Sequence, residues 1–140
     1  LIDATSYAKE ITHSLQVRSN KLVIYRPKPS WAQAVPVSGT FFSRPPRTLD
    51  EEMKNAWALV TYASNAAAEG IVEGVPAIVL GDGVARSVSS TSLDDLDAPF
   101  RPSDELRWEW LSKLAYCQWT IQEFRSGEAW EYLSDVARKY

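Results

Sequence analysis

The sequence predicts an α/β protein, in which a lobe built on a parallel sheet is followed by a helical C-terminal extension. Three short apolar segments, residues 21–25, 58–62 and 76–80, are typical of buried strands. Helical patterns precede and separate them, and this alternation indicates right-handed crossovers between parallel strands. We expect the lobe to span residues 1–102, with the helices of residues 103–140 packing on it as part of one domain.

Composition restricts the class of protein. The 140 residues are 45% hydrophobic and 24% charged, which fits one ordinary globular domain. This balance excludes a disordered tail, a collagen-like rod and a membrane-spanning bundle. No apolar run approaches the ~18 residues of a membrane span, and no signal-peptide pattern is present, so we expect a cytoplasmic protein.

The formal net charge of −3 disfavours nucleic acid as the main partner. Residues 26–47 nevertheless carry four cations and no acidic residue: Arg26, Lys28, Arg44 and Arg47. A local basic stretch in an acidic chain is compatible with a small anionic ligand. Cys117 and His13 are the only residues of their kinds, so we predict no disulfide, no metal site and no Ser-His-Asp apparatus.

The first elements follow from spacing and from proline. Apolar residues at helical spacing (Tyr7, Ala8, Ile11 and Leu15) predict a helix that Asp3, Thr5 or Ser6 caps. The buried strand of residues 21–25 ends at Pro27 and Pro29, which forbid a helix there. Residues 30–38 are expected as loop, and residues 40–43 as a short strand that the pair Pro45-Pro46 ends.

The middle of the chain contains the clearest signals. Thr48 with Glu51 predicts a capping box and a short helix. The strand of residues 58–62 turns at Ser64 into a small-residue helix over 65–73, which Gly74 ends. The strand of residues 76–80 closes on the glycine-containing turn 81–83.

Residues 84–102 are expected as loop with room for one short strand. Beyond them, apolar residues at steps of three and four predict one long amphipathic helix: Leu106, Trp110, Leu114, Cys117, Ile121 and Phe124. Gly127 interrupts it, and Glu128 begins a last helix with Trp130 and Leu133 facing inward. The four tryptophans of this region are expected in helix packing: Trp108, Trp110, Trp119 and Trp130.

Ligands of open α/β sheets bind beyond the carboxyl ends of the strands, and three such ends are readable here. Arg26 and Lys28 follow the first strand and would balance the charge of a pyrophosphate. Ser64 and Asn65 begin a helix, where backbone N–H groups favour phosphate. Glu69, one turn later, could accept hydrogen bonds from two ribose hydroxyls.

Each of these residues also has a purely structural interpretation. Ser64 could be a plain N-cap, Glu69 a solvated helix residue, and Arg26 and Lys28 surface charges. The convergence of three strand ends favours the phosphate site.

The residues from Thr61 to Leu80, TYASNAAAEGIVEGVPAIVL, resemble the donor-binding signature of GT-B glycosyltransferases. In that family a strand leads to a serine turn, a small-residue helix that carries Glu, then Gly-x-Pro and a strand. LVIYRPKP, which begins at Leu22, is similar to an upstream Arg-Pro element of the bacterial and phage capsule-polysaccharide and Kdo-transferase-like group. The sequence departs from the pattern at Ala63, where the family often has Gly.

This resemblance implies a Rossmann-like lobe of a two-lobed enzyme of polysaccharide biosynthesis. The enzyme would transfer a sugar from a nucleotide-sugar, which is the substrate, and no separate cofactor is implied. Ser64 and Asn65 would hold the donor phosphates, Glu69 the ribose or sugar hydroxyls, and Arg26 with Lys28 the pyrophosphate. The usual catalytic base lies in the other lobe, so no catalytic residue is assigned to this chain.

A length of 140 residues matches one such lobe, and the start at Leu1 rather than Met is expected of a fragment. The missing N-terminal lobe would belong to the same polypeptide or to another chain. Two alternatives stay open. One is half of a nucleotide-sugar epimerase. The other is a non-catalytic interaction module that docks a partner through an exposed Trp31 or through the C-terminal tryptophans.

Overall fold

The computed structural model describes residues 3–116 and 118–139. Contacts within the chain divide it into two compact units, Leu1–Ser103 and Asp104–Tyr140. The described strands all lie in the first unit, whereas the second unit consists of helices joined by short turns. The protein is therefore a mixed α/β chain.

The first helix, α1 (Ala4–Arg18), begins at the predicted cap. The Asp3 carboxylate accepts a hydrogen bond of 2.8 Å from the Ser6 N–H, and this satisfies one of the free donors of the first turn. At the other end of the helix, Arg18 forms a 2.8 Å ion pair with Asp94, and Gln16 donates a hydrogen bond to the Ser38 carbonyl oxygen. These contacts connect α1 to two loops of the same unit.

Strand β1 (Ile24–Tyr25) pairs in parallel with β2 (Phe41–Phe42), in the register Ile24 to Phe41. The strand is shorter than predicted, and its burial was wrongly predicted, because Leu22 is 75% exposed and Ile24 is also exposed. Pro27 has no N–H to donate, so pairing cannot continue beyond Arg26. A strand of two residues with one partner covers little apolar surface.

A βαβ unit follows the short helix α2 (Leu49–Met53), whose predicted capping box at Thr48 is confirmed. Strand β3 (Leu59–Thr61) leads through α3 (Ala66–Val72) to β4 (Ala77–Val79), and the two strands pair in parallel. Gly74 ends the crossover with a positive φ of 82°, a conformation that favours glycine.

The core of the first unit lies around this βαβ unit. Its buried apolar residues include Ala67, Ile71, Ile78, Val79 and Val88. A methyl group on Gly70 would lie 3.3 Å from the Leu59 side chain, so the absence of a side chain there lets α3 approach β3 closely.

The described strands form two separate two-stranded parallel sheets rather than the single sheet that the alternation of elements predicts. A parallel bridge from Ile78 to Ser90 adds one more residue beside β4. The remainder of the segment 84–102 contains two short 3₁₀ turns, Arg86–Val88 and Leu93–Asp95. In the described residues of the first unit the predicted helices and strands are therefore present, but strand pairing is confined to two pairs and this one bridge.

The second unit contains α4 (Asp104–Tyr116), α5 (Ile121–Ser126) and α6 (Glu128–Lys139). The prediction of one long helix is wrong, because residues 118–120 are not helical and Thr120 starts α5 with its own capping box. Gly127, with a φ of 90°, separates α5 from α6 as predicted. Cys117 lies outside the described residues.

The predicted inward face of α6 is also wrong. Trp130 is 74% exposed and Leu133 is exposed, whereas Ala129 is fully buried. One residue of a helix is a rotation of about 100°, so burial of Ala129 turns Trp130 toward solvent. Trp108 is likewise exposed, whereas Trp110 is buried and the Trp119 ring lies 5.2 Å from that of Tyr132. In the described part of the chain, no helix is both long and apolar enough to cross a lipid bilayer.

Candidate functional site

The carboxyl ends of β1, β3 and β4 border one cleft of the first unit, and α1 forms its opposite wall. The cleft has a volume of about 270 Å³. Its strand-end residues are Arg26, Thr61, Tyr62 and Leu80, and its α1 residues include Tyr7, Ala8 and Ile11. Ligands of parallel α/β sheets bind at such ends, so this cleft is the candidate site.

Tyr62 forms part of the cleft wall at the end of β3, and two neighbours fix its ring. The Tyr7 ring meets it edge to face, with ring centroids 5.5 Å apart and an interplanar angle of 83°. On Gly81, a side-chain methyl group would come within 2.7 Å of the Tyr62 ring, so this ring needs glycine at position 81. The Gly81 N–H also donates to the Tyr62 carbonyl oxygen at 2.7 Å.

The Tyr7 hydroxyl has an unusual environment. Its oxygen is buried and finds no hydrogen-bond partner among the described residues. Burial of the phenol, with smaller contributions from Tyr62 and Glu10, raises the pKa of Tyr7 above its ordinary value of 10.0. The hydroxyl is therefore protonated at neutral pH and can both donate and accept a hydrogen bond.

Arg26 borders the cleft and is held by a polar network. Its Nη1 donates to the Ser43 hydroxyl at 2.8 Å, and its Nη2 donates to the Arg47 carbonyl oxygen at 2.9 Å. The Ser43 hydroxyl is buried and donates in turn to Glu52 Oε1 at 2.8 Å, and Arg47 pairs with the same oxygen. The network fixes the position of the Arg26 guanidinium, because one hydroxyl links it to a half-buried carboxylate.

The loop after Arg26 brings a second aromatic ring to the cleft. Arg44 holds this loop through a 2.6 Å hydrogen bond to the Ala34 carbonyl oxygen, and its guanidinium lies 4.9 Å from the centre of the Phe42 ring. Trp31, in the same loop, lines the cleft and is half-buried. The expectation of an exposed Trp31 is therefore wrong, because the loop folds back on β2.

Of the five residues predicted to bind a ligand, Arg26 alone lines the cleft. The Ser64 hydroxyl accepts a hydrogen bond from the Ala66 N–H at 3.2 Å, a local turn contact from the residue before the N-cap position of α3. Ser64 is nevertheless next to the site, since its own N–H donates to the hydroxyl of Thr61, a lining residue, at 3.1 Å.

The other three predicted residues are exposed outside the cleft lining. Asn65 occupies the N-cap position of α3 without a side-chain cap hydrogen bond. Lys28 lies in the turn that follows β1, and Glu69 lies in the first turn of α3. A ligand bound in the cleft would have to extend beyond its lining to reach Asn65 and Glu69 at the start of α3.

Sequence reasoning missed the aromatic wall, which consists of Tyr7, Tyr25, Trp31 and Tyr62. A signal existed for Tyr62, since it is an aromatic residue directly at a strand end. Tyr7 was assigned to the apolar face of α1, and nothing local indicated that this face would lie over the strand ends.

The cleft can accommodate a flat apolar group beside an anion. Most of its lining is apolar or aromatic, Arg26 supplies a positive charge, and no carboxylate lines it. Within residues 3–116 and 118–139, no group of three His, Cys, Asp or Glu side chains could hold a metal ion. Comparisons with protein-family models, curated proteins and solved structures find no match. The candidate function therefore rests on the cleft itself.

Proposed function

We propose that this chain is the Rossmann-like, nucleotide-sugar-binding half of a GT-B glycosyltransferase. The observation that carries the proposal is the convergence of the carboxyl ends of β1, β3 and β4, strands of two separate parallel pairs, on one cleft that Arg26 also lines. Convergence of this kind is where α/β lobes bind nucleotides. The resemblance of residues 61–80 to the donor-binding signature supports the same conclusion.

In this proposal Arg26 acts on the leaving phosphate. As the bond from the sugar carbon to the phosphate oxygen breaks, the oxygen keeps the electron pair, and a fixed guanidinium stabilises the growing negative charge. The Ser64 hydroxyl accepts from Ala66 and still has a proton to donate to a phosphate oxygen. Lys28 and Asn65, which are both exposed, would contact the donor phosphates, and Glu69 would accept hydrogen bonds from the ribose or sugar hydroxyls.

The acceptor hydroxyl and the base that removes its proton belong to a second lobe in this proposal. That lobe is part of the same polypeptide or of a partner chain. The proposal thus assigns donor binding and leaving-group stabilisation to the described residues. No separate cofactor is needed, because the nucleotide-sugar is itself the substrate.

Calorimetric titration tests donor binding directly. We expect at least one of CMP, UDP, GDP and ADP, or a sugar conjugate of one, to bind the chain. Arg26→Gln is expected to weaken that binding at least tenfold, since it removes a charge-assisted contact to phosphate. Glu69→Ala is expected to weaken it less.

Lys54→Gln is the matched control, because it also removes one positive charge but lies on an exposed residue at the end of α2. Unchanged binding in Lys54→Gln together with a loss in Arg26→Gln supports the proposal. Absence of binding by every nucleotide and conjugate contradicts it. If binding occurs, product analysis with the complete enzyme separates a transferase from an epimerase, which needs no acceptor.

An interaction module is the second candidate, and the exposure of Trp108 and Trp130 favours it. Large exposed aromatic side chains are enriched at protein interfaces. In that case Trp130→Ala would change the sedimentation behaviour of the chain in a concentration-dependent way. If the unmodified chain and Trp130→Ala both sediment as monomers, self-association through Trp108 and Trp130 is contradicted.

A further inference from the structure

We infer that one face of the β1–β2 pair binds helix α6 of a second copy of this chain. This face, which we call the open sheet face, consists of Leu22, Ile24 and Phe41. Of these three residues, Ile24 alone also lines the cleft. The inference goes beyond donor binding and does not depend on it.

The strand geometry places the three apolar side chains of the open sheet face on one side. Side chains two residues apart in a strand point the same way, so Leu22 shares a side with Ile24. The Phe41 N–H donates to the Val23 carbonyl oxygen, and the register pairs Ile24 with Phe41, so these two also share a side. All three side chains are exposed.

The open sheet face lacks the cover that parallel strands usually have on both sides. On the opposite side of the pair, Tyr25 and Phe42 are half-buried, with ring centroids 5.7 Å apart. The connection from one parallel strand to the next is usually a helix that packs on the sheet. Residues 26–40, which connect β1 to β2, contain no helix, so this connection supplies no such cover.

A cation borders the open sheet face. The Arg47 guanidinium lies 5.1 Å from the centre of the Phe41 ring, and its side chain is exposed. Its ion pair with Glu52 uses Nη1, whereas a guanidinium has five N–H donors. Arg47 can therefore bind a second carboxylate. A partner with carboxylates beside its apolar side chains would complement this surface.

Helix α6 has the complementary surface. Trp130, Leu133 and Val136 follow at steps of three residues on one face of the helix, and all three are exposed. Glu128 and Asp135 are seven residues apart, which is about two turns, so both lie along the same side of that face. Both are exposed. A second copy of the chain therefore carries a helix with the required apolar face and acidic border.

Sedimentation of the full chain over a range of concentrations up to ~100 µM tests the inference. We expect the unmodified chain to associate. Leu22→Ser and Trp130→Ser should each weaken this association at least tenfold, because each replaces a large apolar contact with a small polar one. Val17→Ser is the matched control, since Val17 is 73% exposed and Leu22 is 75% exposed, and it should leave association unchanged.

A mixture of the two variants identifies which surfaces meet. Leu22→Ser retains the apolar face of α6, and Trp130→Ser retains the open sheet face. We therefore expect an equimolar mixture to form a 1:1 pair, although neither variant associates alone. A head-to-tail contact can continue from copy to copy in the unmodified chain, but it must stop at the pair in the mixture.

Four results would overturn the inference. The first is an unmodified chain that remains monomeric, and the second is an association that neither variant weakens. The third is an association that Trp130→Ser weakens and Leu22→Ser does not, because the helices would then pair with each other. The fourth is a mixture that remains monomeric. Nucleotide binding is measured separately by calorimetry, so these results leave the proposed function unaffected.

Discussion

The ring of Tyr7 meets the ring of Tyr62 edge to face, with centroids 5.5 Å apart. The contact joins the first helix of the chain to the end of β3. It also closes one side of the cleft that the strand ends border. The position of this wall therefore depends on the packing around Tyr62.

Gly81→Ala tests that packing. A methyl group at position 81 would lie 2.7 Å from the Tyr62 ring, so the ring must move away from its place. Because Tyr62 is 46% exposed and its ring can move toward solvent, we expect the free energy of unfolding to fall by about 1 kcal/mol, the low end for overpacked sites. Urea denaturation provides the measurement.

Two further variants make this prediction specific. Gly83→Ala is the control, because its methyl group would meet its nearest neighbour, Ala63, at an ordinary distance of 3.4 Å. In a Tyr62→Ala background the cost of Gly81→Ala should largely disappear, since the clash has been removed. An equal cost in both backgrounds would show that Tyr62 is not the cause.

The Ser43 hydroxyl is the link between Arg26 and Glu52. Ser43→Ala removes this link and leaves a charged donor and a half-buried carboxylate oxygen each without one partner. We expect a loss of about 1–3 kcal/mol in the free energy of unfolding. Ser30→Ala, at an exposed loop position, is the control and should be near neutral. A Ser43→Ala variant as stable as this control would contradict the role of the network.

High pH should destabilise the protein through Tyr7 and Tyr25. Burial raises the pKa of both phenols above 10.0 in the folded state. Above that pH the unfolded tyrosines lose their protons first, so the folded state binds more protons and the free energy of unfolding falls as pH rises. Urea denaturation between about pH 8 and about pH 11 measures this slope.

The matched variants for this prediction are Tyr7→Phe and Tyr116→Phe. The slope should be smaller in Tyr7→Phe, which has no proton to lose at this position, and unchanged in Tyr116→Phe. If the free energy of unfolding fell equally with alkaline pH in the unmodified chain and in both variants, the contribution of Tyr7 would be contradicted.

Low pH should lower the stability of the protein through its two capping boxes. Hydrogen bonds from the backbone N–H of Thr48 and Thr120 lower the pKa of Glu51 and Glu123, respectively. Their contribution is present above the ordinary pKa of about 4.5 and is lost as pH falls through the lowered folded value. Glu51→Gln should reduce the acid-dependent loss of stability, whereas Glu73→Gln, on an exposed residue, should leave it unchanged. Equal acid profiles for these two variants would contradict this origin.

Local signals predicted most of the secondary structure. The apolar run before Leu80 is the buried strand β4, Gly74 ends α3, and the pair Thr48 and Glu51 caps α2. These features depend on a few neighbouring residues. The burial of residues 21–25 was wrongly predicted, because it depends on which distant strands cover that segment.

The sequence just before α5 contains a helix-start signal that the prediction from apolar periodicity left out. The apolar spacing from Leu106 to Phe124 continues through residues 118–120, which are not helical. Thr120 and Glu123 nevertheless form a capping box that the sequence contains. A strong local stop-and-start pattern here outweighs an uninterrupted hydrophobic stripe.

The sequence predicted where the candidate site lies, but not which side chains line it. Arg26 was expected at a strand end and lies at the cleft border. The contact of Tyr7 with Tyr62 depends on how α1 packs over the sheets, and no pattern within either segment specifies it. The hydrogen bonds of Ser43 to Arg26 and Glu52 could not be predicted either, because they join three segments that are separate in the sequence.

Chemical-shift mapping of the isotope-labelled chain during titration with CMP, UDP, GDP and ADP tests the central claim most directly. The account predicts that at least one nucleotide shifts the signals of the Arg26 side chain and the amides of Thr61 and Tyr62. It also predicts no change in the amides of α6. Shifts confined to Asp104–Tyr140, or no shifts with any of the four nucleotides, would contradict a nucleotide site at these strand ends.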